Sequence, residues 1–561
     1  MKKTMIFAAI AAAMTFSSCD DFLSEELRGT ENIETYFQSA DDVNSYVLGC
    51  YFQLDKYDWW QVSQVYLLEE MMTDNAWDGN TQQEDGYREV SHFYPTAPNN
   101  GILTNFWGAR YQGIASCNTG IERVPGVEMN ERQKNIRLAE MRFLRAFYYF
   151  DLVKNFGGVP LITTPMASAP GITRNSLEEC YAFIEKELSD VAEILPQKSE
   201  YGAADMGRAT RGAALGFLGK AQLYQGKFAE AKATLWKVIE ENEYKLMDNF
   251  GDVWSVRHNN NAESIFEIQT KFEADPYNVG GCLTVISGCR ECNVGDGWAW
   301  GQPSSDLENA YIAAGDTERL RWTIIKTGDR TIAGETRMSD YYNANKSKYV
   351  GTEAYKNYCK PVSEGGFGWA SNTATTCFIA DPSIHKSARI IRKFYVPVAD
   401  RPEVYNIRKV QLNNRLLRYA DVLLMYAEAC NETNDDGNAR TYLNKVRNRV
   451  GLGDVTSSGD ELRQAIRLER RLELAFESNR LYDIRRWKDA NGKTVMENLF
   501  GPNGSFVKYN TGENADMYEK ANQGESSDKG IRFQAPRDLI WPIPVYEIEH
   551  SNYSITQNPG W

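Results

Sequence analysis

The chain has 561 residues, with 62 Lys and Arg against 76 Asp and Glu, a formal net charge of −14 and a sequence pI of about 5.1. A surface of that sign excludes nucleic acid and anionic lipid headgroups as main partners, because both repel it. Aromatic residues make up 12% of the chain, with 13 Trp and 31 Tyr, and some of these rings fall where no core period calls for them.

At the N-terminus, Lys2 and Lys3 precede an apolar run from Met5 to Phe16, and small residues lead to Cys19. That order reads as a secretory signal peptide over 1–18, and the run is too short to span a bilayer, which takes roughly 20 residues. The stretch Phe16-Ser17-Ser18-Cys19 resembles a bacterial lipobox with Phe16 in the usual leucine position, so Cys19 is the expected lipidation site. Asp20 and Asp21 then open a polar tether over 19–40. No later apolar run has the length of a membrane span, so the expectation is a chain held by its lipid and otherwise soluble.

From 41 to 270 the pattern is helical. Ile136, Phe143, Phe147 and Phe150 recur at helical spacing, which predicts a helix over 131–156 stopped by Gly157, Gly158 and Pro160. A second helix is predicted over 176–195, ended by Pro196. In 207–241, Leu218, Gly219, Gly226, Phe228, Ala231, Leu235 and Val238 fall where a tetratricopeptide repeat places its small and apolar residues. Residues 271–410 are rich in Gly, Asn and aromatics without sustained helical period, and read as a loop-rich, ligand-binding insertion. A second repeat-like unit covers 413–450 within a C-terminal helical part (411–495), followed by a long helix over 461–487 and a C-terminal segment (496–561) packed on the same domain. The predicted fold is mostly α, a tetratricopeptide-like helical-repeat scaffold with a long insertion.

Catalytic signatures are missing from the sequence. It contains no GxSxG and no HExxH, and Gly492-Lys493-Thr494 lacks the earlier glycine of a phosphate loop. Glu69 and Glu70 adjoin, but nothing in the sequence sets two carboxylates across a cleft as a glycosidase requires. Besides Cys19 there are nine cysteines; Cys289 and Cys292 form one CxxC with only four scattered histidines, which reads as buried thiols or an occasional disulfide in place of a zinc site. The chain reads as a binding protein, not an enzyme, with no cofactor and no metal.

Several stretches resemble the SusD/RagB family of outer-membrane nutrient-binding lipoproteins from Bacteroidetes. They are Cys19-Asp20-Asp21-Phe22-Leu23, the run from Ala139 to Ala146 with Phe156 to Leu161, Arg208 to Ala214, Arg418 to Ala429, Glu469 to Trp487, and Trp541-Pro542-Ile543-Pro544 with Thr556 to Gly560. All fall in family order along the mature chain, and the departures concentrate in 271–410. The charged residues Arg470, Arg471, Glu473, Glu477, Arg480 and Asp483 read as an ion-pair network joining the last helix to its neighbours. Trp107, Trp487 and Trp541 read as scaffold.

The resemblance implies a shallow glycan site of aromatic rings and a few polar side chains, near the face where the early segment meets the insertion. A sugar ring offers an apolar C–H face to an indole, and its hydroxyls need polar partners. The candidates are Asp74, Asn75 and Trp77, with Asp78, Trp59, Trp60 and Phe93 nearby; Tyr94; Trp298 and Trp300 in a Gly-rich run; Trp369; and Arg392 with Tyr395. It also implies capture of an oligosaccharide at the cell surface and its delivery to a SusC-like TonB-dependent transporter, with the membrane reached through the lipid on Cys19. The alternative is RagB-like capture of peptides with the same kind of partner, which favours a backbone-matching groove over coplanar rings.

Overall fold

The computed structural model describes residues 36–55, 63–79, 85–166, 171–270, 281–289, 297–332, 360, 380, 385–401, 410–511, 515–521 and 528–561. Cys19, Trp59, Trp60 and Trp369 lie outside the described residues.

The chain opens with α1 (Ala40–Phe52), α2 (Ser63–Met71), α3 (Asp85–Ser91) and α4 (Gly101–Arg123), and then enters α5 (Glu131–Phe156). Asn130 caps α5 by accepting from the Gln133 N–H, and Gly157 ends it at φ 77°, a left-handed turn that glycine adopts without steric cost. Phe143, Phe147 and Phe150 are buried on one face, with ring centroids 5.2–6.4 Å from that of Phe217. The next helix, α6 (Leu177–Ala192), starts in a capping box between Ser176 and Glu179. The predicted repeat pair is α7 (Arg211–Tyr224) and α8 (Phe228–Glu240), turned at Gly226. A Cβ on Gly219 would come within 2.5 Å of the Leu235 side chain, so only glycine lets these two helices pack so closely.

Strand β1 (Ser264–Ile268) follows, and the segment predicted to be loop-rich turns out to contain regular structure. It carries α9 (Leu283–Ser287), α10 (Ser305–Ala313), α11 (Thr317–Thr323), β2 (Ile324–Lys326) and β3 (Arg389–Ile391). These helices are too short to show a period in sequence; Ser304 and Asp316 cap α10 and α11 by accepting from Leu307 and Arg319 N–H groups. β2 pairs with β3, and β1 pairs antiparallel with β4 (Asn414–Arg418), bringing the two ends of the insertion together.

The chain then resumes with α12 (Tyr419–Glu432), α13 (Asp436–Arg449), α14 (Gly459–Glu473) and α15 (Arg480–Arg486). Each of α4 to α8 packs on the next, α8 packs on α12, and α12 packs on α13 and α14. The helical row is thus continuous in space across the insertion. Short helices α16 (Val495–Leu499), α17 (Ser505–Thr511), α18 (Met517–Ala521) and α19 (Val545–His550) complete the chain. Among the described residues no helix is long and apolar enough to cross a membrane.

The single long helix predicted over 461–487 is two helices. α14 ends at Glu473, and Phe476 and Ser478, at φ 66° and 55°, keep the chain out of helix until α15. The break lets the Ser478 N–H donate to Glu70 at 3.0 Å and sends Glu477 to Arg418 and Lys393.

The charged residues of this region form the anticipated network. Glu473, 0% exposed, meets Arg319 of α11, Arg418 of β4 and Arg449 of α13. Arg470 bridges Asp421 (2.9 Å) and Asp483 (2.8 Å). Burial alone would raise the Glu473 carboxyl; the guanidiniums of Arg449, Arg418 and Arg319 outweigh it and hold the group well below the usual carboxylate range. Insertion, strand and scaffold are locked together at this hub. Trp107, Trp487 and Trp541 are all buried in the scaffold.

Candidate ligand-binding junction

The early segment after α2 runs alongside the stretch that leads into α10. Trp77 N–H donates to the Gln302 carbonyl at 2.8 Å, Ser304 N–H donates to the Asn75 carbonyl at 2.8 Å, and Ala76 bridges Pro303. Gly79 lies flat against Trp300: a Cβ there would stand 3.0 Å from its Cα and Cδ1, and its φ of 139° suits glycine. The two segments that the sequence pairs as ligand-facing are therefore joined directly, backbone to backbone.

Side chains beneath this joint are saturated. Asp74, 1% exposed, accepts from Arg480 at 2.8 and 2.9 Å and pairs with Arg471 at 3.1 Å. Burial would raise its carboxyl, but Arg471 and Arg480 pull it below the ordinary range. Asn75 accepts from Arg471 at 2.9 Å, and Trp77 donates its indole N–H to Glu519 at 2.9 Å. Lys529 donates to the Thr73 carbonyl at 2.6 Å and to that of Ala76, under the ring of Trp77; burial pushes its ammonium down to about 7 against the pull of Asp78 and Asp74.

The sequence places Asp74, Asn75 and Trp77 as ligand contacts; the structure places them buried beneath the joint, with polar atoms bonded to Arg471, Arg480 and Glu519. Trp300 is likewise buried, 4% exposed, with its ring 4.6 Å from that of Tyr87. Trp298 differs. It is half-buried, with its ring centroid 5.0 Å from that of Trp300, so one indole rests on the other and part of it stays open.

Tyr94 is the second half-buried ring. Its hydroxyl donates to Asp528 at 2.9 Å, and the Arg532 guanidinium, itself 2.6 Å from Asp528, lies 4.2 Å from the ring centroid. Asp528 also meets His92 Nδ1 at 2.5 Å, while His92 Nε2 lies 3.4 Å from Asp78. Lys386 reaches the same Asp78 oxygen at 2.7 Å. Burial would raise Asp78, yet Lys386 and His92 hold it well below the carboxylate range. A chain of contacts thus runs from Tyr94 through Asp528, His92 and Asp78 to Lys386, beside the joint that carries Trp298.

Arg392 and Tyr395 belong to another cluster. Arg392 stacks 4.4 Å over Trp322 and donates to Thr331, and Tyr395 lies 5.7 Å from the Arg401 guanidinium. Trp322, Arg532 and Lys386 were not among the sequence candidates. The signal available for Trp322 was a large ring beside Arg321 just ahead of an Ile-Ile strand, and nothing marked its pairing with Arg392. Cys289 is disulfide-bonded, while Cys50, Cys117, Cys180, Cys282 and Cys430 are free and buried.

Comparison with known proteins matches residues 253–561 to the SusD family model, and residues 21–223 to a second model described as starch-binding associating with outer membrane. Over its whole length the chain is 26% identical to the whole of SusD-like protein P2 of Formosa agariphila. It is 27% identical to the starch-binding protein SusD of Bacteroides thetaiotaomicron over 204 residues, 33% of this chain and 35% of that one. Among solved structures, it is similar to a laminarin binding SusD-like protein, with a TM-score of 0.71, 25% identity, and coverage of 94% of this chain and 100% of the other. With one family model spanning more than half of its length, and the fold shared over 94% of the chain, the chain belongs to the SusD family.

Proposed function

We propose that this protein captures oligosaccharides at the outer membrane, held there by a lipid on Cys19, and hands them to a SusC-like TonB-dependent transporter. It acts by binding and not by catalysis. The observation that carries the reading is Trp298: a half-buried indole seated on Trp300 at a joint whose floor is locked by ion pairs. Such a ring is held rigid with part of its surface open, which is what stacking on a sugar requires. Tyr94, fixed by Asp528, supplies a second ring beside the same joint. The laminarin binding relative and the starch-binding SusD support a glycan as the ligand class.

Covering one sugar face with an indole removes roughly 60 Å² of apolar surface, about 1.5 kcal/mol at about 25 cal/mol per Å². Trp298→Ala should therefore weaken binding about tenfold. Calorimetry against a panel of neutral and charged oligosaccharides, laminarin and starch fragments included, tests this. Unchanged affinity in a folded Trp298→Ala protein removes the site, and binding of peptides with no glycan bound favours the peptide-capturing alternative. Delivery is tested by pull-down from native outer membranes, where a copurifying TonB-dependent transporter is expected and its absence even after crosslinking refutes the partnership.

A further inference from the structure

The buried arginines Arg110, Arg319, Arg389, Arg415, Arg418 and Arg470 each meet a carboxylate within 3.2 Å. Arg392 does not. It is half-buried, and among the described residues no carboxylate lies within ion-pair distance of it. Its one hydrogen bond goes from Nη1 to the Thr331 hydroxyl. Asp329 is a carboxylate whose charge acts on it, and that carboxylate accepts from the Thr331 N–H at 2.7 Å.

The guanidinium is nevertheless held in place. Its carbon lies 4.4 Å from the centroid of Trp322. That ring donates to Glu318 at 3.0 Å and lies against Gly251, where a Cβ would come within 2.3–2.6 Å of its atoms. Arg321 lies 5.1 Å from the same ring, pairs with Glu318 at 3.3 Å and has a side chain 53% exposed, so it adds positive charge at the edge. Burial lowers the Arg392 pKa, and Asp329 opposes it only in part.

A guanidinium has five N–H donors in a rigid planar fork, and stacking on an indole fixes the plane of that fork. Two parallel donors match the oxygens of a carboxylate or a sulfate. In a chain with a net charge of −14, an arginine stacked on an indole and, among the described residues, facing no carboxylate is a local cation site. Arg392 lies six positions after Lys386, which touches Asp78 at the joint, so their Cα atoms are no more than about 22 Å apart. One oligosaccharide of several sugars spans such a distance.

We propose that the Arg392–Trp322 stack is a subsite for the anionic substituent of an acidic oligosaccharide, a uronate carboxylate or a sulfate ester received by the Arg392 fork. This rests on the glycan reading above and adds the charge of the ligand to it. The test is calorimetry on the full chain with three oligosaccharide sets of matched length: uronate-bearing, sulfated and neutral. At low salt, at least one acidic set should bind about tenfold or more tightly than the neutral set, and the set that does so identifies the anion. The preference should vanish in Arg392→Gln and shrink several-fold in Arg392→Lys, which keeps the charge but not the fork. Equal affinity for all three sets overturns the subsite while leaving the glycan reading intact. So does an acidic preference that survives in Arg392→Gln. Absence of binding to every set sinks the glycan reading itself. If Arg392→Gln does not fold, the salt dependence of wild type decides: acidic binding that does not weaken with salt refutes the proposal.

Discussion

Around α14, Glu473 is enclosed by Arg319, Arg418 and Arg449, whereas a short way along the fold Trp298 keeps part of its indole open above Trp300. The two regions hold side chains rigid by opposite means. At the hub, each charge is buried and matched, so nothing is left for a ligand and the position of every partner is determined. At the joint, a ring is supported from below by Trp300 and is half-buried. A binding surface of this kind needs both, because a sugar stacks with useful affinity only on a ring whose freedom has already been removed.

The largest way to break that contrast is to unmatch the hub. Replacing Glu473 with Gln leaves Arg319, Arg418 and Arg449 facing a neutral amide in a dry interior, and removal of one partner of a buried pair costs about 3–5 kcal/mol. We expect about 5 kcal/mol here, since three cations lose the same anion, seen as a lowered midpoint in urea with an unchanged slope. Asp74→Asn does the same at the floor, for about 3–4 kcal/mol, because Arg471 retains Asp306 while Arg480 loses its carboxylate. Glycan affinity of the folded Asp74→Asn protein should match wild type; a loss of binding without a loss of stability would restore Asp74 as a contact.

A smaller effect sharpens the comparison by pH. Among the described residues no cation pairs with buried Glu70, and burial pushes its carboxyl up to about 7, with the bonds from Asn75 and Ser478 and the charge of Lys393 opposing. Between its ordinary value of 4.5 and about 7 the folded state holds a proton that the unfolded state has released, so this group's contribution falls as pH rises through that window. Glu70→Gln removes the dependence. The stability of Glu70→Gln relative to wild type should grow by about 3 kcal/mol between pH 4 and pH 8, and a constant difference would mean that Glu70 finds a cation in solution.

What sequence could reveal follows the range of the interactions involved. The helix over 131–156 was legible because its apolar period, Asn130 and Gly157 are all local signals. The ion-pair network was legible as alternating charge at helical spacing. The role of Asp74 was not, because its partners Arg471 and Arg480 lie roughly 400 residues further on and nothing local announces them. The division of labour between Trp298 and Trp300 was equally hidden. Two tryptophans in one glycine-rich run look alike until Tyr87 and Gly79 claim the second. Short capped helices such as α10 and α11 escaped for the same reason as the break at Phe476 and Ser478. Each is shorter than the window over which a period can be seen.

The contact of α8 with α12 has a consequence for how the chain folds. These helices are neighbours in space, yet about 180 residues lie between Glu240 and Tyr419. Closing a loop of that length costs on the order of 5 kcal/mol in chain entropy before any contact repays it. Helices α4 to α8, each resting on its neighbour in sequence, carry no such burden and can assemble first. The second half of the row must wait for β4 to find β1, a search over distant contacts that slows folding. Refolding should therefore show two phases, helix content appearing early and the Trp236–Tyr426 ring contact, 5.6 Å across the α8–α12 interface, forming late.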